Sequence, residues 1–395
     1  MSDSPELLIP ERLQALVGQG VDAIDTPALV VDLDAANRNL QRMAEFAERH
    51  NVRLRPHAKM HKSAAFAHMQ LQAGAVGLCT QTVAEAEALA AGGANDLFIS
   101  NQVVAPAKLH RVAALAHLLK GRGGRLAIAV DSEGGIERLA QAMRLTNAAI
   151  DVFVEVDIGQ GRCGVAPGAA VVDLVRTLAA RAPSLRYAGL HAYQGGAQHL
   201  RSVAERRAAI DRGAEQLRAT RALLAAADLA PPLITGAGTG TFAHEAASGL
   251  WGEIQPGSFL FMDADYARNQ RDAAQPAFEH ALFVKSQVIS VAFDHAVCDA
   301  GHKSHAIDSG GPTVHPLPGQ PPLATRNGGD EATILTPLES GGELPALPAL
   351  GDTVWLIPGH CDPTVNLHNQ LIAVRGGLQE GRVEAVVPVL ARGVW

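Results

Sequence analysis

Cysteine is scarce in this chain: 395 residues hold four, Cys79, Cys163, Cys298 and Cys361. Thiols so few and so scattered exclude a secreted disulfide scaffold. Basic charge is short as well. Lys plus Arg number 33 against 40 Asp plus Glu, a formal net charge of −7, and this excludes a protein that grips nucleic-acid phosphates with a basic face. Charged residues reach only 18% while apolar residues reach 47%, so disorder is excluded and a sizeable core is expected. One charge-free stretch, Ser63 to Ala84, is long enough to raise the question of a membrane span. It carries His68, Gln70, Gln72 and Gln81, and desolvating these groups opposes spanning. The opening MSDSPELLIPER is acidic and broken by proline, unlike a signal or transit peptide. A soluble cytoplasmic protein of two or three domains is expected.

Short β-rich apolar runs alternate with Ala/Leu-rich helical stretches over most of the length. Strands are expected at 53–58, 76–80, 97–100, 126–131, 151–156, 187–193, 233–236 and 252–255, with helix-length segments between them. Eight such pairs predict an α/β fold, a parallel (β/α)8 TIM-type barrel, although a doubly wound sheet gives a similar pattern. Beyond about residue 275 the segments 281–293, 352–359, 371–377 and 383–395 read as strands with no long helix between them, and 310–322 reads as a Pro/Gly-rich loop. A second, mainly β domain is therefore expected. The division places the barrel at 26–272 and the β-rich domain at 273–395 with part of 1–25; an early strand at 28–33 precedes the barrel count and is a candidate for the second domain.

Chemistry in a barrel sits in the loops after the strands. The first strand runs into Arg55-Pro56-His57-Ala58-Lys59-Met60-His61-Lys62. A lysine there is either a surface residue of a basic turn or a partly desolvated amine, nucleophilic toward carbonyls; Lys62, further into the loop, reads as the surface one. After the fifth strand, Asp157-Ile158-Gly159-Gln160-Gly161-Arg162 is either an ordinary turn or a mount for a guanidinium that reaches an oxygen-bearing ligand. Thr235-Gly236-Ala237-Gly238-Thr239-Gly240-Thr241 follows the seventh strand and can offer backbone N–H groups to a phosphate. It lacks the Gly-Lys-Ser/Thr of a Walker loop. Gln255-Pro256-Gly257-Ser258 closes the eighth strand and can add donors. In the β domain, Pro358-Gly359-His360-Cys361-Asp362 is either a hydrogen-bonded loop or a metal site. In an extended backbone His360 and Asp362 share a face and Cys361 points away, a pair suited to manganese, magnesium or zinc.

Together these segments resemble the fold-type III pyridoxal-phosphate enzymes, the alanine-racemase-like barrel family, and within it the branch of D-threonine aldolases and D-serine dehydratases. The resemblance runs through DTPALVVDLDAANRN, RPHAKMHK, CTQTVAEAEAL, VDIGQGRCGV, GLHAYQG, TGAGTGTF, QPGSFLFMD and PGHCDPTVN in order. It implies that Lys59 carries the cofactor aldehyde, that Arg162 contacts the cofactor's phenolic oxygen, and that Tyr193 and Gln81 line the cofactor. It implies too that Gly238, Thr239 and Gly240, with Gly257 and Ser258, hold the phosphate. Racemases of the family carry an arginine two residues before the equivalent of Gly257, facing the pyridine nitrogen. Here that residue is Gln255, which argues against a racemase.

In that branch a divalent metal is held by a histidine and a ligand two residues later, His-x-Cys in dehydratases and His-x-Asp in aldolases. The spacing selects His360 and Asp362. The activity so implied is retro-aldol cleavage of D-3-hydroxy-α-amino acids to glycine and an aldehyde by a homodimer, with either metal-bound hydroxide or a nearby histidine such as His191 as the base that takes the hydroxyl proton. A D-serine or 3-hydroxyaspartate dehydratase and a non-catalytic pyridoxal-phosphate carrier are the alternatives.

Overall fold

A computed structural model describes residues 9–318, 322–338 and 347–393. The middle of the expected Pro/Gly-rich loop and the last residues of the segment 383–395 thus lie outside the described residues. The chain divides into two units. One holds Gln41–Gly257 and Asn269–Pro276; the other holds Met1–Leu40, Ser258–Arg268 and Ala277–Gly393.

The first unit is the expected barrel. Its eight parallel strands are, in chain order, Arg53–Leu54, Leu78–Thr80, Asp96–Ile99, Arg125–Val130, Ile150–Glu155, Leu185–Ala192, Ile234–Gly236 and Glu253–Ile254. Neighbours in sequence are neighbours in the sheet, and the first pairs the eighth. Closure between the first and second comes from the His57–Cys79 bridge and from the Val76 N–H donating to the Leu54 carbonyl at 2.9 Å. The first strand stops short of the expected residue 58 because the chain turns into a short 3-10 helix at Ala58–Met60. Alternation along each strand sorts the core. Leu97, Ile128 and Val152 face the helices, whereas Cys79, Phe98, Ala129 and Phe153 form a separate buried cluster on the opposite side of the pleat.

Two of the barrel helices start at full capping boxes. Thr82 with Glu85, and Ser202 with Glu205, form capping boxes that satisfy the first free N–H groups of Val83–Ala91 and Val203–Ala226. Inside the barrel the buried Arg55 donates to Glu253 at 2.9 Å and to Asp96 at 2.6 Å. Breaking such a buried pair costs on the order of 3–5 kcal/mol, because the partner charge is left behind.

The second unit is a nine-stranded mixed sheet. Ala28–Asp32 lies at its centre, antiparallel to Leu282–Val291 and parallel to Gln370–Arg375. The boundary expected at residue 26 therefore moves: Val30 and Val31 are 0% exposed, and their all-apolar run is buried on both faces between two strands of this sheet. Phe283, Trp355, Ile357 and Ile372 pack around Val30 in this unit's core. Among the described residues no helix is long and apolar enough to cross a membrane.

Candidate active site

The parallel barrel puts the C-terminal ends of all eight strands, and the loops that leave them, at one end. Lys59 leaves the first strand in the Ala58–Met60 turn, where its N–H donates to His57 Nδ1 at 3.3 Å. Its charge acts on the Cys79 thiol inside the barrel, which burial nevertheless pushes up to about 12. Lys62 is not the surface residue that its place in the loop suggested. Its side chain is 9% exposed and its amine lies 3.4 Å from Glu85 Oε1. The reason is the capping box: Glu85 reaches back to accept the Gln81 and Thr82 N–H groups, and this brings its carboxylate to Lys62. Gln81 is thereby fixed through its backbone at the end of the second strand.

The fifth and sixth strands carry the next group. Glu155 and His191 are paired residues across these strands, both buried, with Glu155 Oε1 3.7 Å from His191 Nδ1. The His191 ring meets Phe98 edge-on at 5.4 Å. Burial raises the Glu155 carboxyl, but the His191 imidazole, Gln102 and the Arg162 charge outweigh it and hold the group below its usual range. Asp157 Oδ1 accepts the Gly159 and Gly161 N–H groups and so builds the glycine turn that presents Arg162. The guanidinium carbon sits 5.9 Å from the Tyr193 ring centre, within cation–π range.

The loop after the seventh strand is buried and strained. Ala237 has φ +71° although it carries a Cβ, a left-handed backbone that costs of order 1–3 kcal/mol and that clusters at ligand sites. Among the described residues neither the Gly238 N–H nor the Gly257 N–H donates to a backbone carbonyl. Gly238 is buried and Gly257 half-buried; a buried amide without a partner is rare, so the open Gly238 amide, with that of Gly257 beyond the eighth strand, fits a phosphate. The donor set therefore fits the cofactor that the resemblance implies. Ser258 follows in the next unit, in the 3-10 turn Ser258–Leu260, and is buried. Gln255 is committed within the barrel. Its Nε2 donates to Thr235 Oγ1 at 2.7 Å, its Oε1 accepts the Cys79 thiol at 3.6 Å, and Thr235 in turn donates to Glu253 at 2.8 Å.

Behind this loop lies Glu245, 1% exposed, whose carboxyl is pushed up to about 7 by burial. Its folded value is above the unfolded one, so the stability of the neutral form is full below about pH 4.5 and is lost as pH rises through about 7. Glu245→Gln should therefore raise Tm by an amount that grows from pH 5 to pH 8, corresponding to about 3 kcal/mol at most. Thermal melts across pH test this, and a gain that does not depend on pH contradicts it.

In the second unit the His-Cys-Asp segment is not extended. His360 alone is, with φ −145° and ψ 127°, and Cys361–Asn366 is a helix. Asp362 is in its first turn, where a carboxylate faces the free N–H groups. Asp263 anchors the turn: buried, it accepts the Cys361 N–H at 3.0 Å and the Tyr266 N–H at 2.9 Å. Cys361 does not point away from Asp362. Its thiol is 3.5 Å from Asp362 Oδ1, and burial, then the Asp263 and Asp362 charges, push it well above 9. His360 Nδ1 meets Asp308 at 2.7 Å. Burial lowers the His360 imidazole, but Asp362, the strongest charge acting on it, together with Asp308 and Asp263 raises it overall.

Among the described residues no group of three or more His, Cys, Asp or Glu side chains is arranged to hold a metal. A histidine whose Nδ1 faces a carboxylate is the usual support of a metal-ligating Nε2; Asp308 gives His360 that support, and Asp362 is the nearest carboxylate along the chain that could be a second oxygen ligand. Glu155, Gln102, Asp263 and Asp308 escaped the sequence reading. Asp308 lies 52 residues from His360 in sequence, and nothing local links them.

Residues 31–265 match the family described as alanine racemase, N-terminal domain, and residues 281–374 match a domain family described after serine dehydratase. The chain belongs to this alanine-racemase-like family of two-domain barrel proteins. Its relatives narrow the class. It is 42% identical to a D-threonine aldolase of Arthrobacter sp over 95% of this chain and 95% of that protein. It is 40% identical to a 3-hydroxy-D-aspartate aldolase of Paracoccus denitrificans (strain Pd 1222), over 96% of this chain and 95% of that one. The crystal structure of D-threonine aldolase from Filomicrobium marinum superposes with a TM-score of 0.89 at 45% identity, covering 95% of this chain and 98% of that one.

Proposed function

We propose that this chain is a pyridoxal-phosphate- and divalent-metal-dependent aldolase of the D-threonine type, working as a cytoplasmic homodimer. It would cleave D-3-hydroxy-α-amino acids to glycine and an aldehyde. One observation carries the reading: Lys59, His191 and the amide-bearing Ala237–Gly240 loop stand at the C-terminal ends of strands of one barrel, in a chain that is 40% and 42% identical over nearly its whole length to two proteins named aldolases.

In this reading the Lys59 amine holds the cofactor aldehyde, and Arg162 and Tyr193 face its ring, with Gln81 beside them. Gly238 and Thr239, with Gly257 and Ser258, hold its phosphate; Gly240, expected among the donors, instead gives its N–H to the Gln198 side chain and shapes the loop. When bound, the cofactor supplies an electron sink for the pair released as the Cα–Cβ bond breaks. His360 and Asp362 would hold manganese, magnesium or zinc, a Lewis acid for the β-hydroxyl oxygen. His191 accepts the β-hydroxyl proton, with Glu155 and Phe98 keeping its ring in place. The hydroxyl oxygen becomes the aldehyde oxygen, and Cα regains a proton to give glycine. Purified protein supplied with D-threonine, cofactor and metal tests this by its products: glycine and acetaldehyde are expected.

A further inference from the structure

Gln198 lies outside every motif assigned above, yet it is the residue against which the Gly238–Gly240 loop is moulded. It is 0% exposed. Its Oε1 accepts the Gly240 N–H at 2.9 Å. Its Nε2 donates to the Gln194 carbonyl at 3.0 Å and to Thr241 Oγ1 at 2.8 Å, and the Thr241 hydroxyl donates in turn to Glu245 Oε1 at 2.7 Å. The Gln198 carbonyl accepts the Asn269 side-chain amide at 2.8 Å. The same residue explains both glycines. A Cβ on Gly238 would lie 2.5 Å from Gln198 Oε1, and a Cβ on Gly240 would lie 2.3 Å from the Gln198 carbonyl oxygen. Gln198 thus takes up one loop amide, that of Gly240, and leaves the Gly238 amide open.

We propose that Gln198 is a positioning residue for the cofactor phosphate: without touching the cofactor, it aims the loop amides that bind it. This rests on the reading of Gly238–Gly240 as the phosphate loop. Removing Gln198 would orphan the buried Gly240 N–H and release the strained backbone at Ala237, so the loop amides would lose their common direction. The loss falls on the phosphate and spares the aldehyde end, which is attached at Lys59.

The test compares pyridoxal phosphate with phosphate-free pyridoxal, titrated into the full chain stripped of cofactor. In Gln198→Ala the affinity for pyridoxal phosphate should fall roughly 10- to 100-fold, the worth of one or two charge-assisted hydrogen bonds. Pyridoxal affinity should stay within about twofold by the same reasoning. Gln198→Glu is the second variant should the alanine form not fold. It keeps the shape and the Gly240 acceptor but turns a carboxylate oxygen toward the Gln194 carbonyl, and the same selective loss is expected. Gly238→Ala should also weaken pyridoxal phosphate selectively. Added to Gln198→Ala it should cost nothing more, since the three atoms nearest that Cβ all belong to the Gln198 side chain.

Unchanged affinity for pyridoxal phosphate overturns the proposal, and so does an equal loss for both ligands, which marks a merely structural residue. If the unmodified chain itself binds the two ligands equally, it is the phosphate-loop reading that fails.

Discussion

Alanine in place of Lys59 should end turnover, a loss on the order of 10³-fold or more for a side chain that bonds the cofactor and moves protons. The visible absorbance of the lysine-linked cofactor should vanish with it. The geometry separates this lysine from its neighbour. Lys59 leaves the barrel strand in a turn pinned by His57, whereas the Lys62 amine is engaged by Glu85 at 3.4 Å. Lys62→Ala should keep the absorbance but lower Tm, because Glu85 loses its partner while still capping a helix. Borohydride reduction followed by peptide mapping should place the label on Lys59. A label on Lys62, or no label, contradicts the assignment.

The second large effect is expected at the metal. Asp362→Ala should lower metal-dependent activity by roughly 10²- to 10³-fold, since an open site with two protein ligands cannot spare one. Cofactor absorbance should persist, as the cofactor is held in the barrel by other residues. Chelation of the unmodified enzyme should do the same. Cys361→Ala should keep most metal-dependent activity. It removes a buried thiol contact with Asp362 and costs stability, on the order of 1 kcal/mol. Metal content and rate measured on both variants decide the matter. A metal-free, inactive Cys361→Ala beside an active Asp362→Ala would move the ligand to the thiolate and favour a zinc-dependent dehydratase.

The barrel was legible because each strand is a short apolar run between turn signals, a local pattern. The strand Ala28–Asp32 was harder to place. Its hydrophobicity marks it as a strand, but its partners lie some 250 and 340 residues further on, and pairing over that distance leaves no local mark. Lys62 reads as a surface residue for a related reason: the ion pair that covers it joins the loop to Glu85 of the next capped helix, and nothing local links the two. The His-Cys-Asp segment looked extended because it ends a strand. The helix that starts at Cys361 is supported by Asp362 in its first turn and by the Asp263 side chain on the Cys361 N–H, and only the former is visible locally. The glycine loops stood out by composition. What shapes them, Gln198 and Asp157, are single polar residues that nothing in the chain sets apart from others of their kind.

The most direct test of the whole account is the fate of D-threonine in the presence of pyridoxal phosphate and Mn²⁺. Equal amounts of glycine and acetaldehyde, formed by the unmodified chain and abolished in Lys59→Ala, are the predicted result. Ammonia with a keto acid, or no turnover at all, would contradict it.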